Sequence, residues 1–138
     1  MRYLMIVVFT LASSLFVLSQ GPCTEAAVKK GNLPMAEDAF SHVPSFAKPV
    51  TGRAAYEDEA EAKLAGRTNI EHSWESDRLI VASVKGDMAY ERGIMDVRYD
   101  EEGKPHSSKV VVLAVYKAKG PVCERVAETM QPLKESER

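Results

Sequence analysis

The chain reads as an α+β protein in which short helices come first and an antiparallel sheet follows. Three observations predict this. Before Gly66, apolar residues recur every four positions at Tyr56, Ala60 and Leu64, the spacing of one helix face. After it, Gly93, Met95, Val97 and Tyr99 alternate with Arg92, Ile94, Asp96 and Arg98, the period of a half-buried strand. Lys109 to Lys117 then holds an unbroken Val, Leu and Ala run, as in a strand covered on both faces. Helices and strands that segregate along a chain imply α+β rather than alternating α/β architecture.

The elements follow in order. Residues 3–24 contain no charged side chain, Arg2 precedes them, and 4–8 and 15–18 are strongly apolar. A basic start, an apolar stretch and then small or polar residues is the layout of a secretory signal. Val17 and Ser19 place small residues for cleavage before Gln20, so residues 1–19 are the expected signal peptide and the protein is expected in the periplasm or outside the cell. The alternative is an uncleaved N-terminal membrane anchor, which Thr10, Ser13, Ser14, Ser19 and Gln20 make weak. Acylation of Cys23 is a third reading, opposed by Pro22 at the position before it.

Residues 20–44 read as a helical, partly mobile segment. Thr24 to Lys30 makes one short helix, stopped by Gly31. Asn32 is the expected N-cap of another, with Leu33, Ala36 and Phe40 on one face. The domain proper is expected over 45–131. A helix from Arg53 to Leu64 is acidic in its first turns through Glu57, Asp58, Glu59 and Glu61, which suits its dipole. Strands follow at Asp77–Lys85, Met88–Tyr99, Lys109–Lys117 and Cys123–Met130, giving a four-stranded meander. Gly103 serves the hairpin at Asp100–Pro105. Residues 132–138 form a polar tail.

At 138 residues, with 45% hydrophobic and 28% charged side chains, the chain is one domain able to bury its own core. Its net charge is −2, and loss of Arg2 with the leader leaves 17 basic against 20 acidic residues, a net of −3. That balance carries no electrostatic footprint for nucleic acid, or for a membrane unless the leader stays uncleaved. Cys23 and Cys123 are the only cysteines. Export permits a disulfide between them, closing a loop of about 100 residues and adding several kcal/mol in the chain-entropy model; the alternative is one buried and one exposed thiol. His42, His72 and His106 share no metal-ligand spacing with Cys, Asp or Glu. Hydrolase, nucleotide and dinucleotide motifs are absent, so no metal or cofactor is expected.

Several phrases carry a family likeness. Val50-Thr51-Gly52-Arg53 opens the acidic helix; Gly86-Asp87-Met88-Ala89-Tyr90-Glu91-Arg92-Gly93 opens a strand. Asp100-Glu101-Glu102-Gly103-Lys104-Pro105 forms a hairpin, and Val111–Lys117 and Gly120–Glu128 complete the order. Together they resemble the SnoaL-like family called domain of unknown function 4440, in the nuclear transport factor 2-like superfamily that includes ketosteroid isomerase. The likeness covers roughly residues 45–130, with Cys123 where tryptophan usually stands and the first helix cut to about two turns.

The resemblance implies a cone-shaped curved sheet on short helices, enclosing an apolar pocket for a small apolar ligand. Trp74, Tyr90, Tyr99, Met95 and Met130 are the expected pocket residues. Glu128, on one strand face with Val126 and Met130, is the candidate general base should the pocket be catalytic, with Tyr99 and Tyr90 as donors to a developing oxyanion. A binding module without catalysis is the other reading, and the lack of an acid–base–nucleophile set favours it. Homodimerisation is expected through the open sheet, where Val110, Val112, Ala114 and Tyr116 form an apolar stripe that could serve; the alternative is that this stripe is simply core.

Overall fold

The computed structural model describes residues 20–133. The expected leader, 1–19, and the last five residues of the tail lie outside that range. The elements are α1 (Glu25–Lys30), β1 (Met35–His42), β2 (Val50–Thr51), α2 (Arg53–Leu64), β3 (Arg67–Trp74), β4 (Leu79–Ala82), β5 (Met88–Glu101), β6 (Lys104–Lys119) and β7 (Val122–Pro132).

One curved, open sheet runs in the order β2-β1-β7-β6-β5-β3, and β4 also pairs with β5. β1 lies parallel to β7, while the other pairs are antiparallel. The sheet is therefore mixed and seven-stranded, wider than the four-stranded meander that periodicity predicts. β5, β6 and β7 match the expected strands, and the hairpin at Gly103 uses φ 72°.

Register fixes the two faces. Met95 pairs with Val110, and Gly93 with Val112, which also faces Met130. Glu91 pairs with Ala114, which faces Glu128, which faces Ser41. These rows look into the concavity. Val110, Val112, Ala114 and Tyr116 are consequently core residues at 8, 2, 2 and 8% exposure, the core alternative rather than a dimer stripe. Side chains alternate across a strand, so Val111 and Leu113 take the outer face, each 42% exposed.

Among the described residues, α1 and α2 close the concavity. α2 packs on β1, β2 and β3, and α1 on β4 and β5. Thr24 caps α1 by accepting from the Ala27 N–H at 3.1 Å, and Gly31 ends it at φ 76°. A helix of six residues does not persist alone in water. Tertiary contacts hold it: Val28 is 1% exposed, in a cluster with Cys23, Ala89, Ala114, Tyr116 and Cys123. Cys23 and Cys123 are joined by a disulfide. Just before it, the chain lies flat on the β4–β5 turn. Gly21 N–H donates to Lys85 O at 2.7 Å and Cys23 N–H to Gly86 O at 2.9 Å. A Cβ on Gly21 would stand 2.4 Å from Gly86 O, so only glycine permits this approach.

The helix expected after Asn32 does not form. Asn32 sits at φ 59°, outside N-cap geometry, and Met35–His42 is a strand beside β7. Its pairing slips between Met35 and Phe40, which buries Met35, Ala36, Ala39 and Ser41 and exposes Glu37, Asp38 and Phe40. A bulge breaks period two, so the buried positions do not alternate, and Phe40 of the expected helix face points out. β3 escapes a periodicity reading because Arg67–Trp74 is an edge strand with no buried residue.

The disulfide spans a sequence separation of 100, for which loop-closure entropy alone is worth roughly 4–5 kcal/mol in that model-dependent account. Replacing both cysteines by serine should lower stability by about 2–5 kcal/mol, read from urea unfolding. Amide exchange over 21–31 should speed up far more than over β5–β7. Uniform acceleration across the chain would show that α1 is not held locally by the bond.

Candidate functional site

α2 builds one wall of a cavity of about 440 Å³, within the range of about 300–1,000 Å³ usual for small-ligand pockets. Tyr56, Ala60, Lys63 and Leu64 line it, the i, i+4, i+7, i+8 face of one helix. Its acidic residues Glu57, Asp58, Glu59 and Glu61 are not among the lining residues. The loop from Val43 to Phe46 closes a second side, with Phe46 edge-on to Tyr56 at 5.4 Å between ring centroids. The sheet supplies the floor through Met95, Val97, Tyr99, Val110 and Met130, and β3 the rim through Arg67, Ile70 and His72.

Tyr99 is held on both sides. The Arg67 guanidinium lies 4.1 Å from its ring centroid and His106 stacks on it at 5.2 Å. Arg67 Nε also donates to Glu101 at 3.2 Å. Cation–π contact and ion pair together fix the rim.

One row deeper than Met130 lies a belt of buried polar side chains. Glu91, 4% exposed, accepts from Arg78 Nε at 2.6 Å and from the Tyr116 hydroxyl at 2.9 Å. Glu128, 3% exposed, accepts from Arg125 Nη1 at 2.5 Å. The Arg125 guanidinium lies 5.7 Å from the Tyr56 ring centroid, which ties the belt to the cavity wall. Ser41 Oγ, Arg125 Nε and Glu128 Oε1 are buried without a hydrogen-bond partner among the described residues. Ser41 and Glu128 are register partners, and none of these groups lines the cavity, so the belt is a place for an ordered water.

Burial raises the Glu128 pKa; Arg125 opposes this by charge and hydrogen bond, and Glu91 reinforces it. Burial and the Glu91 carboxylate push the Tyr116 hydroxyl well above the usual phenol range, so it stays protonated as the donor to Glu91. Tyr56 is raised by burial and by Glu128, against Arg125.

Met95, Met130 and Tyr99 line the cavity. Trp74 faces the concavity but packs on the Met95–Val110–Val112 cluster, with Arg78 4.8 Å from its ring centroid, and is not a cavity wall. Tyr90 is a correction: it is the register partner of Val115 on the outer face and 38% exposed, so it can neither line the pocket nor donate into it. Glu128 is inward-facing and paired with arginine, yet it does not line the cavity. Sequence reasoning missed Glu91, Arg78, Tyr116 and Arg125 as partners. Glu91 carried a signal, since it continues the alternating apolar face of Gly93 and Met95 as a lone charge. The arginines gave none, because tertiary packing brings them in. No group of three or more His, Cys, Asp or Glu gathers at metal-binding distance among the described residues.

No protein-family model and no curated protein matches the chain. Solved structures do. It is similar to a protein of Xanthomonas campestris provisionally named a calcium/calmodulin dependent protein kinase II association domain, with a TM-score of 0.65 and 16% identity over 74% of this chain and 71% of that one. It is similar also to a provisional ketosteroid isomerase of Shewanella frigidimarina (TM-score 0.56, 17% identity, 78% and 81% covered). A third is a nuclear transport factor 2-like protein with a cystatin-like fold from Novosphingobium aromaticivorans (TM-score 0.54, 20% identity, 82% and 71% covered). The fold is thus the α+β cone of nuclear transport factor 2-like, cystatin-like proteins.

Glu128 makes stability depend on pH. Its folded pKa is raised, so the folded protein keeps this proton to higher pH than the unfolded chain does. The neutral acid's contribution is full below the ordinary glutamate value of about 4.3 and is lost as pH rises through the raised one. The Glu128→Gln variant should lack that fall, giving a flatter profile of urea midpoint against pH above about 4.3. Parallel profiles would place the wild-type carboxyl outside this environment.

Proposed function

We propose that this protein is an exported binding module of the SnoaL-like family that holds a small apolar ligand in the cavity under α2. The observation that carries the reading is the lining itself: among the described residues the cavity is lined mostly by Phe, Tyr, Met, Val, Leu and Ile side chains, its polar members are Ser45, Lys63, Arg67, His72 and Ser108, and no carboxylate lines it. A general base must reach the proton it removes, at about 2.6–3.2 Å or through one water. Glu128 is sealed behind the floor and engaged by Arg125, which favours binding over catalysis. The SnoaL-like assignment rests on the motif order together with the shared fold. Export is supported by the layout of residues 1–19 and by the Cys23–Cys123 bond, since such bonds persist in oxidising compartments.

One observation favours a second reading, an isomerase or lyase using Glu128. Its raised pKa and unpartnered Oε1 are what a base next to a carbonyl substrate needs, and a provisional ketosteroid isomerase shares the fold. Under that reading Glu128→Gln abolishes turnover and spares affinity.

We propose further that the chain is a homodimer through the outer sheet face. Phe40, Ala127, Val115, Tyr90 and Val81 form one continuous cross-strand row, with Val111 and Leu113 exposed in the rows beside it. Exposed apolar patches of this kind mark association surfaces, and one protein of this fold bears the name association domain.

Two experiments test these readings. Ala60→Trp fills the cavity from the helix side and should abolish binding of the neutral apolar dye Nile red with the thermal melt preserved; retained dye binding places the ligand elsewhere. Leu113→Lys should shift sedimentation from dimer to monomer, and a monomeric wild-type protein at micromolar concentration ends the dimer reading.

A further inference from the structure

We infer that the ligand is an apolar chain bearing a carboxylate, bound tail inward with its head at the rim on Lys63 and Arg67. The inference rests on the proposed binding function and names the class of ligand. Its basis is a charge asymmetry. The chain carries more acidic than basic residues, yet the charged side chains lining the cavity are Lys63 and Arg67, and no Asp or Glu lines it among the described residues. α2 shows the same sorting. Its four acidic residues between 57 and 61 turn away, and Lys63 is the charge on the cavity face.

Lys63 forms no ion pair among the described residues. Arg67 uses Nε for Glu101 and its guanidinium face for Tyr99, which immobilises it while its Nη groups take no partner among the described residues. A rigid guanidinium edge suits a carboxylate. Glu101 on Arg67 and the carbonyl end of α2 oppose an anion there, and the second cation, Lys63, offsets them. Leu64 and Ile70 stand at the same rim, 43 and 36% exposed, and a chain passing between the cations would cover them. Beyond them the lining is mostly apolar, through Val97, Val110, Met95, Met130 and Phe46, with the neutral hydroxyls of Ser45, Tyr56 and Ser108 and no further lysine or arginine among the described residues. The polarity of the site therefore sets the direction of entry.

The test uses the disulfide-bonded protein loaded with Nile red, displaced in turn by dodecanoate, dodecanol and dodecylammonium, each below its micelle concentration. Dodecanoate should displace at a concentration about fivefold or more below the other two, the upper end of what an exposed ion pair supplies. Lys63→Gln should reduce that preference, and Lys63→Glu should erase or reverse it, with dodecanol displacement changed less than about twofold. Equal displacement by dodecanoate and dodecanol, or a preference that survives Lys63→Glu, overturns the inference while leaving an apolar pocket intact. Failure of Nile red and all three chains to bind overturns the pocket reading itself.

Discussion

The covalent tie between Cys23 and Cys123 is the constraint on which the two-ended shape of this cone depends. A six-residue helix has too few internal hydrogen bonds to exist alone. The disulfide, with the glycine-to-glycine approach of Gly21 and Gly86, lays it across β4 and β5 and buries Val28 completely. Arg78 reinforces the contact, reaching the Val28 and Lys29 carbonyls from one Nη while its Nε holds Glu91. A short segment thereby covers the end of the sheet opposite the cavity.

Between plug and cavity sits the buried belt of Glu91, Tyr116, Arg78, Glu128 and Arg125. Charged groups this deep are retained only when paired, because an unpaired buried charge costs several kcal/mol. Each carboxylate here has its own arginine, and the two flank Ala114, whose small side chain leaves room between them. The belt bounds the cavity's inner side and holds Tyr56, and through it α2, against the sheet. It thus separates the stapled end from an open, ligand-sized end.

The open end depends on sorting rather than on a motif. One face of α2 turns Tyr56, Ala60, Lys63 and Leu64 inward and leaves its acidic residues outside. Arg67 and Tyr99 brace each other across β3 and β5. The proposed receptor role, for an apolar body with one polar end, rests on this sorting.

Much of this was legible in the residues. The spacing at 53–64, the alternation over 88–99 and the unbroken apolar run at 109–117 mark α2, β5 and β6, although α2 holds no fully buried residue and β6 leaves its outer face exposed at Val111 and Leu113. The inward positions of Met95, Tyr99, Glu128 and Met130 follow from the same alternation. β1 was not legible, since its bulge scrambles period two and its partner β7 lies some ninety residues away in sequence. β3 was not legible either, because an edge strand with solvent on its side chains carries no apolar signal. Sequence alone thus determined the class of fold and the sidedness of its regular elements, which are local consequences of side-chain spacing. Only tertiary structure decided that Val110 and Val112 are core, that the two cysteines meet, and that two arginines meet two buried glutamates. Those outcomes depend on register and on contacts between distant segments, which no local pattern encodes.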